Sequence, residues 1–179
     1  MNMAKKPRPI DAPPPSGYAP APKPHRPSTI PVDFAIENTR QLRDLWSAKR
    51  PGRGSLPAYR FFDELELRPW TDNLVLYGVE RSDDQLVYRF KKVGKNVVEI
   101  DGGDFSGQLM HRALPPTQLW AVIGHYDAAV RTRGPVEFHD TIASPASGAV
   151  KWDKLLLPLS DEGSEVDHLL MLLYAEWVG

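Results

Sequence analysis

Cysteine is absent from this chain of 179 residues. Its absence excludes disulfides, thiolate nucleophiles, cysteine-held zinc or iron–sulfur centres and flavin–cysteine adducts. Long apolar runs are lacking too, since no segment of the sequence approaches the ~18 to 20 apolar residues of a membrane-spanning helix. The N-terminus also lacks the apolar core of a secretory signal. We therefore expect a cytoplasmic protein that makes no membrane contact.

The sequence also has no excess of either charge sign. The formal net charge is −1 with 25% charged residues, and no basic stripe carries interleaved aromatic residues. This pattern gives no electrostatic footprint for nucleic acid, so we expect no nucleic-acid partner. The length and composition are typical of one folded domain with room for a tail.

Proline is the residue type in excess, and it is concentrated at the N-terminus. Ten of the 18 prolines lie in residues 1–31, together with five Lys or Arg and a single Asp. Such a segment buries too little apolar surface to offset its ordering entropy. We predict a disordered, basic, partly polyproline-II tail over residues 1–31. It is either a solubilising leader or a ligand for a proline-binding groove or an acidic partner.

Helices are indicated by apolar spacing and by residues that begin or end a helix. Asp33 is a candidate cap for a first amphipathic helix that reaches Lys49, and the turn at Pro51–Gly54 ends it. Pro115-Pro116 begins the clearest helix, and Gly134-Pro135 ends it. The segment Phe61–Trp70 is predicted to form a turn or a short helix, and Lys95–Ile100 to form one or two helical turns.

Strands are indicated by alternating or continuous apolar residues between turn residues. Short turns between neighbouring strands favour antiparallel pairing. The last strand is apolar on both faces, which predicts a central place in the sheet. Two strands, a group of helices and three further strands predict an α+β domain with a five-stranded antiparallel sheet and helices on one face. The predicted strands are Leu74–Glu80, Leu86–Lys91, Val136–Ile142, Ala149–Leu159 and His168–Tyr174.

Four motifs follow one another from Leu42 to Tyr174. They are Leu42-x-x-Leu45-Trp46-x-x-Lys49-Arg50-x-Gly52-Arg53 with Leu56-Pro57-Ala58, Tyr88-Arg89-Phe90-x-x-Val93-Gly94, Asp104-Phe105-Ser106-Gly107 and Leu157-Pro158-Leu159. In this order they resemble a bacterial family of compact proteins with the PAS fold, a small sensory and interaction domain. The order of the predicted strands and helices is similar to that fold as well. The chain departs from the family at Asp63-Glu64 and Trp70-Thr71.

The resemblance implies a non-enzymatic, PAS-like sensory or regulatory module at residues 55–179, preceded by a helix and turn at residues 32–54. Because the chain ends soon after the last predicted strand, we expect it to act on a signalling protein partner in trans. Leading helices often mediate dimers in PAS proteins, so the N-terminal helix either forms a homodimer or covers its own domain. Trp120 projects away from the apolar side of the long helix and indicates a partner surface.

The same resemblance implies that the space between the sheet and the long helix is either packed core or a pocket for a small ligand. Six residues are expected to face this space and to contact any ligand there: Phe90, Phe105, Leu119, Ile123, Tyr126 and Phe138.

The resemblance requires no cofactor. Some PAS sensors hold haem through a histidine on the long helix, but His125 lies about 110° from the apolar face at roughly 100° per residue. We therefore expect His125 to point sideways or to solvent, without haem. His111 is a candidate hydrogen-bond partner for a ligand. No metal site is expected, because no two histidines are spaced i, i+4.

The stretch Ile100–Gly107 differs slightly from the Gly-Gly-Asp-Glu-Phe signature of cyclic-dinucleotide cyclases. It lacks the metal-binding glutamate, and the preceding residues favour a helix over a strand. We therefore predict a structural loop in which Gly102, Gly103 and Gly107 have positive φ angles and Asp104 acts as a cap. Phe105 should point inward.

A small enzyme with a cone-shaped α+β fold, such as a ketosteroid-isomerase-like enzyme, is the alternative function. It would need an acid or base inside the cavity. Asp140 is the candidate, because it is in phase with Val136, Phe138 and Ile142 on a predicted strand. This hypothesis requires that Asp140 be shielded from solvent.

Overall fold

A computed structural model describes residues 32–82, 85–144 and 148–178, and their side chains over 35–82, 85–141 and 150–176. The predicted tail at residues 1–31 and the predicted turn residues 83–84 and 145–147 lie outside the described residues. The helices are α1 (Val32–Ala48), α2 (Glu64–Leu67), α3 (Lys95–Asp101), α4 (Met110–Ala113) and α5 (Pro116–Thr132), with 3₁₀ turns at Tyr59–Phe61 and Arg68–Asn73. The strands are β1 (Leu74–Ser82), β2 (Gln85–Val93), β3 (Val136–Ser144), β4 (Gly148–Leu159) and β5 (His168–Val178).

The five strands form one antiparallel sheet in the order β2-β1-β5-β4-β3. The predicted α+β class and five-stranded antiparallel sheet are therefore confirmed. The central place of β5 is confirmed as well: its residues from Leu169 to Leu173 are at most 2% exposed. A strand between two neighbours and covered on both faces has apolar side chains in both phases of its alternation, as the sequence of β5 shows.

One face of the sheet, the α5 face, carries the segment from α3 to α5. The ring of Tyr77 on β1 lies 5.2 Å from that of Tyr126 on α5. Phe90, which is in register with Tyr77, lies 5.7 Å from Phe105 in the loop before α4. Side chains alternate between the two faces along each strand. The α5 face therefore contains Tyr77, Phe90 and the residues of the other strands that share their phase in the register of the sheet.

The opposite face, the α1 face, is covered by the N-terminal helix. Trp46 donates from Nε1 to the backbone oxygen of Pro158 on β4 at 2.8 Å. Arg43 pairs at 2.5 Å with Glu137 of β3, whose neighbour Phe138 lies on the α5 face. The helices that follow β2 share one face, as predicted, whereas α1 covers the other. An apolar sheet face without a helix would leave large side chains in water, and α1 removes that cost.

The short helix α3 begins at a glycine because backbone passes very close to it. A Cβ added to Gly94 would lie 2.5 Å from the carbonyl oxygen of Asp72. At its other end Gly102 has φ 77° and donates its backbone N–H to Val98. This left-handed residue ends the helix at little steric cost. The two glycines thus fix where α3 places its last residue, Asp101.

The long helix α5 begins at Pro116, as predicted, but it ends one residue earlier than Gly134-Pro135 predicts. Arg133 adopts φ 54° and donates its backbone N–H to Ala129. Its guanidinium also donates to backbone carbonyl oxygens, including that of Gly163 at 3.0 Å. These charge-assisted hydrogen bonds offset the strain of a left-handed arginine.

None of the described helices has the length and apolar character needed to cross a membrane.

Candidate functional site

The six residues predicted to face the space between sheet and helix meet on the α5 face. Phe90, Tyr126 and Phe138 are buried, and Phe105, Leu119 and Ile123 are partly buried against the same apolar core. Their predicted location is therefore confirmed, including the inward direction of Phe105. Their role in binding a ligand stays a prediction.

The side chains between the sheet and α5 form one layer. The end of this layer nearest β1 and β2 is packed, and the tyrosine hydroxyl groups there have partners. The ring of Tyr77 lies 4.9 Å from Phe90 and 5.2 Å from Tyr126. The Tyr126 hydroxyl lies 3.2 Å from that of Tyr77 and 3.1 Å from the Met171 sulfur. Burial raises the pKa of Tyr126 above its ordinary range. This end therefore stabilises the fold as an aromatic core.

The end of the layer nearest β3 and β4 contains a charged residue that the sequence analysis missed. Lys154 on β4 is in register with Phe138 on β3, and only 8% of it is exposed. Its Nζ lies 4.4 Å from the ring centroid of Trp152 and 5.4 Å from that of Phe138. Two aromatic faces thus flank the ammonium, which gives cation–π attraction but no full countercharge.

Burial changes the acidity of Lys154 and of the nearest acidic group on α3. It lowers the pKa of Lys154 to about 8, which the negative charges of Asp101 and Asp140 oppose. It raises the pKa of Asp101 to about 6, which the positive charge of Lys154 opposes. Among the described side chains, no carboxylate oxygen lies within 4.0 Å of Lys154 Nζ. The lysine and Asp101 interact through space without forming an ion pair.

Trp152 supplies a second polar group without a partner in this layer. Its Nε1 is buried and has no hydrogen-bond partner among the described residues. An indole N–H can only donate, and a buried donor without an acceptor costs about 1–3 kcal/mol. Lys154, Trp152 and Asp101 therefore form a polar cluster in a layer that is otherwise apolar; we call it the Lys154 cluster.

Asp140 lies beside this cluster but is exposed to solvent. It is in register with Trp152, and its Oδ1 accepts a hydrogen bond from the backbone N–H of Thr141. The enzyme hypothesis needs a base shielded from water, so it loses its candidate base.

His125 points sideways, one of the two directions predicted from its helical position. Its ring stacks on Phe138 with centroids 4.0 Å apart and an angle of 3° between planes. The imidazole therefore covers the outer side of the ring that flanks Lys154. His111 on α4 is exposed.

No protein-family model matches the chain, and no curated protein does.

The loop at 102–107 is held by backbone geometry and hydrogen bonds. Gly102 and Gly107 have positive φ angles, as predicted, but Gly103 does not, because the left-handed helix cap needs only one residue. Asp104 accepts from the backbone N–H and the hydroxyl of Ser106, which lowers its pKa. Gly107 bonds to the Phe90 carbonyl at 2.7 Å. The acidic side chain of the cyclase-like stretch is thus used within its own turn.

A cavity of about 460 Å³ lies on the α1 face, beside α2 and the 3₁₀ turn at Arg68–Asn73. Leu76, Leu170 and Lys92 line it from the sheet, and Leu65 lines it from α2. None of the six predicted ligand-contacting residues lines it. The cavity therefore lies on the opposite side of the sheet from the predicted ligand space.

Asp161, Asp167 and His168 bring their ligand atoms within 4.8 Å of one another. Asp167 already accepts the backbone N–H of Asp161 at 2.8 Å and contacts His168 Nδ1 at 2.6 Å. These contacts explain why the three side chains lie close together, since they close the turn before β5.

Proposed function

We propose that this chain is a non-enzymatic, cytoplasmic, PAS-like sensory module that binds a small ligand between its sheet and α5 and signals through a protein partner. The order of elements supports the likeness: two strands, a group of helices ending in a long one, then three strands. The six residues expected around a ligand do meet on one face of that sheet.

The single observation that carries the proposal is the burial of the charged residue Lys154. A lysine that is 8% exposed and has no ion pair among the described side chains is unfavourable in a layer that serves only as core. An apolar residue of similar volume would stabilise the fold more. Groups that lower the stability of a fold are typical of binding and catalytic sites.

Signalling would pass through α5, which lies between this layer and solvent. Trp120 on α5 is 65% exposed, which supports its predicted outward direction. A ligand beneath α5 would shift the helix, and Trp120 would carry that shift to a partner surface. A homodimer through α1 stays a prediction. It would use the outward side with Ile36, which is 60% exposed, since Leu42 and Trp46 are buried within the chain.

Native mass spectrometry of the full-length protein tests the proposal. We expect an additional small-molecule mass that is lost on denaturation. Ile123→Trp fills the layer and should abolish that mass, whereas Ala121→Trp, at an exposed position of the same helix, should retain it. Circular dichroism establishes that both variants fold. Absence of a bound mass, together with no thermal shift from any member of a metabolite library, would contradict ligand sensing.

A further inference from the structure

We propose that the Lys154 cluster is the head-group site of the ligand, and that the ligand is a small monocarboxylate with a flat apolar body. This inference rests on the proposed function and names the chemical class of the ligand.

The first argument is the hydrogen-bonding chemistry of Lys154 and Trp152, whose side-chain nitrogens have no hydrogen-bond partner in the described part of the chain. A lysine ammonium has three donors and no acceptor, and a tryptophan indole has one donor and no acceptor. Both belong to the α5 face of β4, because they lie two positions apart along the strand, with only Asp153 between them. A ligand that satisfies both must present acceptor atoms, and a carboxylate presents two oxygens.

The second argument is charge. Lys154 Nζ lies between two aromatic rings, with no carboxylate oxygen of the described residues within 4.0 Å. A ligand anion would supply the missing countercharge through charge-assisted hydrogen bonds, which are about twice as strong as neutral ones. A neutral amide of the same shape would not.

The third argument concerns shape, access and selectivity. The rings of Phe138 and Trp152 flank the ammonium, so a ligand bound to Lys154 would contact flat apolar surfaces. Asp140, in register with Trp152, is exposed, so solvent reaches this face at the edge strand β3. Asp101 repels a second negative charge, which favours a monoanion over a dianion.

Benzoate and its neutral isostere benzamide are suitable probes for the full-length protein. Each of the five tryptophans gives its own indole N–H signal in a ¹H–¹⁵N spectrum, and Trp152→Phe assigns the relevant one. We expect benzoate to shift the Trp152 indole signal and to leave that of exposed Trp120 unchanged. Benzamide should bind at least about tenfold more weakly, as expected when a charge-assisted bond is lost.

Two variants should change benzoate affinity in opposite directions. Lys154→Met removes the cation and should weaken binding by about tenfold or more, whereas Asp101→Asn removes a repelling charge and should strengthen it several-fold. Equal binding of benzoate and benzamide that persists in Lys154→Met would overturn the anion assignment and leave ligand sensing intact. A Trp152 indole signal that benzoate does not move would overturn the site, even where native mass spectrometry finds another ligand.

Discussion

Replacing Lys154 with methionine should stabilise the protein at neutral pH, although it should remove carboxylate binding. Burial lowers the pKa of this lysine from 10.5 to about 8. Since one pKa unit corresponds to about 1.4 kcal/mol, the buried charge costs about 3 kcal/mol. This shift already includes the attraction to Asp101, and methionine retains only the apolar stem of the lysine. We expect a net gain of about 1–3 kcal/mol, or about 3 to 10 °C in Tm for a domain of this size.

The dependence of this gain on pH identifies its cause. Below pH 8 the lysine is charged in both the folded and the unfolded state, so the wild type bears the full cost of burial. Between about 8 and 10.5 the unfolded state binds a proton that the folded state does not, so wild-type stability rises with pH. The difference between wild type and Lys154→Met should therefore vanish near pH 10.5. The charges that act on Lys154 are those of Asp101 and Asp140. Because burial raises the pKa of Asp101 to about 6, the difference is best measured above pH 7.

Urea unfolding of the wild type, Lys154→Met and Lys151→Met at several values from pH 7 to pH 10.5 provides the measurement. Lys151 is exposed on the same strand, so its replacement should change the free energy of unfolding by less than about 0.5 kcal/mol. A Lys154→Met variant that is less stable than the wild type at pH 7 would refute the reasoning. So would a difference between the two proteins that does not depend on pH.

Three further predictions concern the fold. Gly94→Ala should lower the free energy of unfolding by more than about 2 kcal/mol, because the new methyl group would lie 2.5 Å from a backbone oxygen. Gly124→Ala is the matched control on α5: its methyl group would have no atom within 4 Å, and the change should raise the free energy of unfolding by about 0.5–1 kcal/mol. Gly102→Ala should lower the free energy of unfolding by about 1 kcal/mol, because Gly102 has φ 77°, whereas Gly103→Ala should lower it much less. Equal losses of stability in urea unfolding would contradict the conformations of the two glycines. Leu42→Ala, at a position that is 0% exposed, should cost about 2–5 kcal/mol, and a loss below about 1 kcal/mol would mean that α1 does not cover the sheet.

Much of the fold could be predicted from the sequence because its signals are local. Alternation in Leu86, Tyr88 and Phe90, the proline pair before α5 and the double-sided apolar run of β5 each depend on neighbours a few residues away. The surface against which α1 packs could not be predicted. The apolar spacing of α1 predicts that one side of the helix is buried. The surface that buries it belongs to strands about a hundred residues later in the chain, which the local pattern does not identify.

The candidate site was predicted in part for the same reason. The six apolar and aromatic residues follow from the faces of α5 and the strands. Lys154 was missed because a lysine in a strand usually lies on a solvated face, and its burial depends on distant segments. A signal was present nevertheless, since Lys154 is in phase with Trp152 and Leu156 on a strand whose other phase contains Leu155 and Leu157. Only Gly102 has a positive φ angle, because α3 ends there. The glycine pair in the sequence does not show which of its two members ends the helix.

The pKa of the Lys154 amine, followed by the NMR signal of its neighbouring methylene carbon with and without benzoate, tests the central claim most directly. We predict a pKa of about 8 in the free protein and a higher value with benzoate bound, because the anion stabilises the charged form. A pKa near 10.5 that benzoate does not change would contradict both the burial of this lysine and its role as the ligand's countercharge.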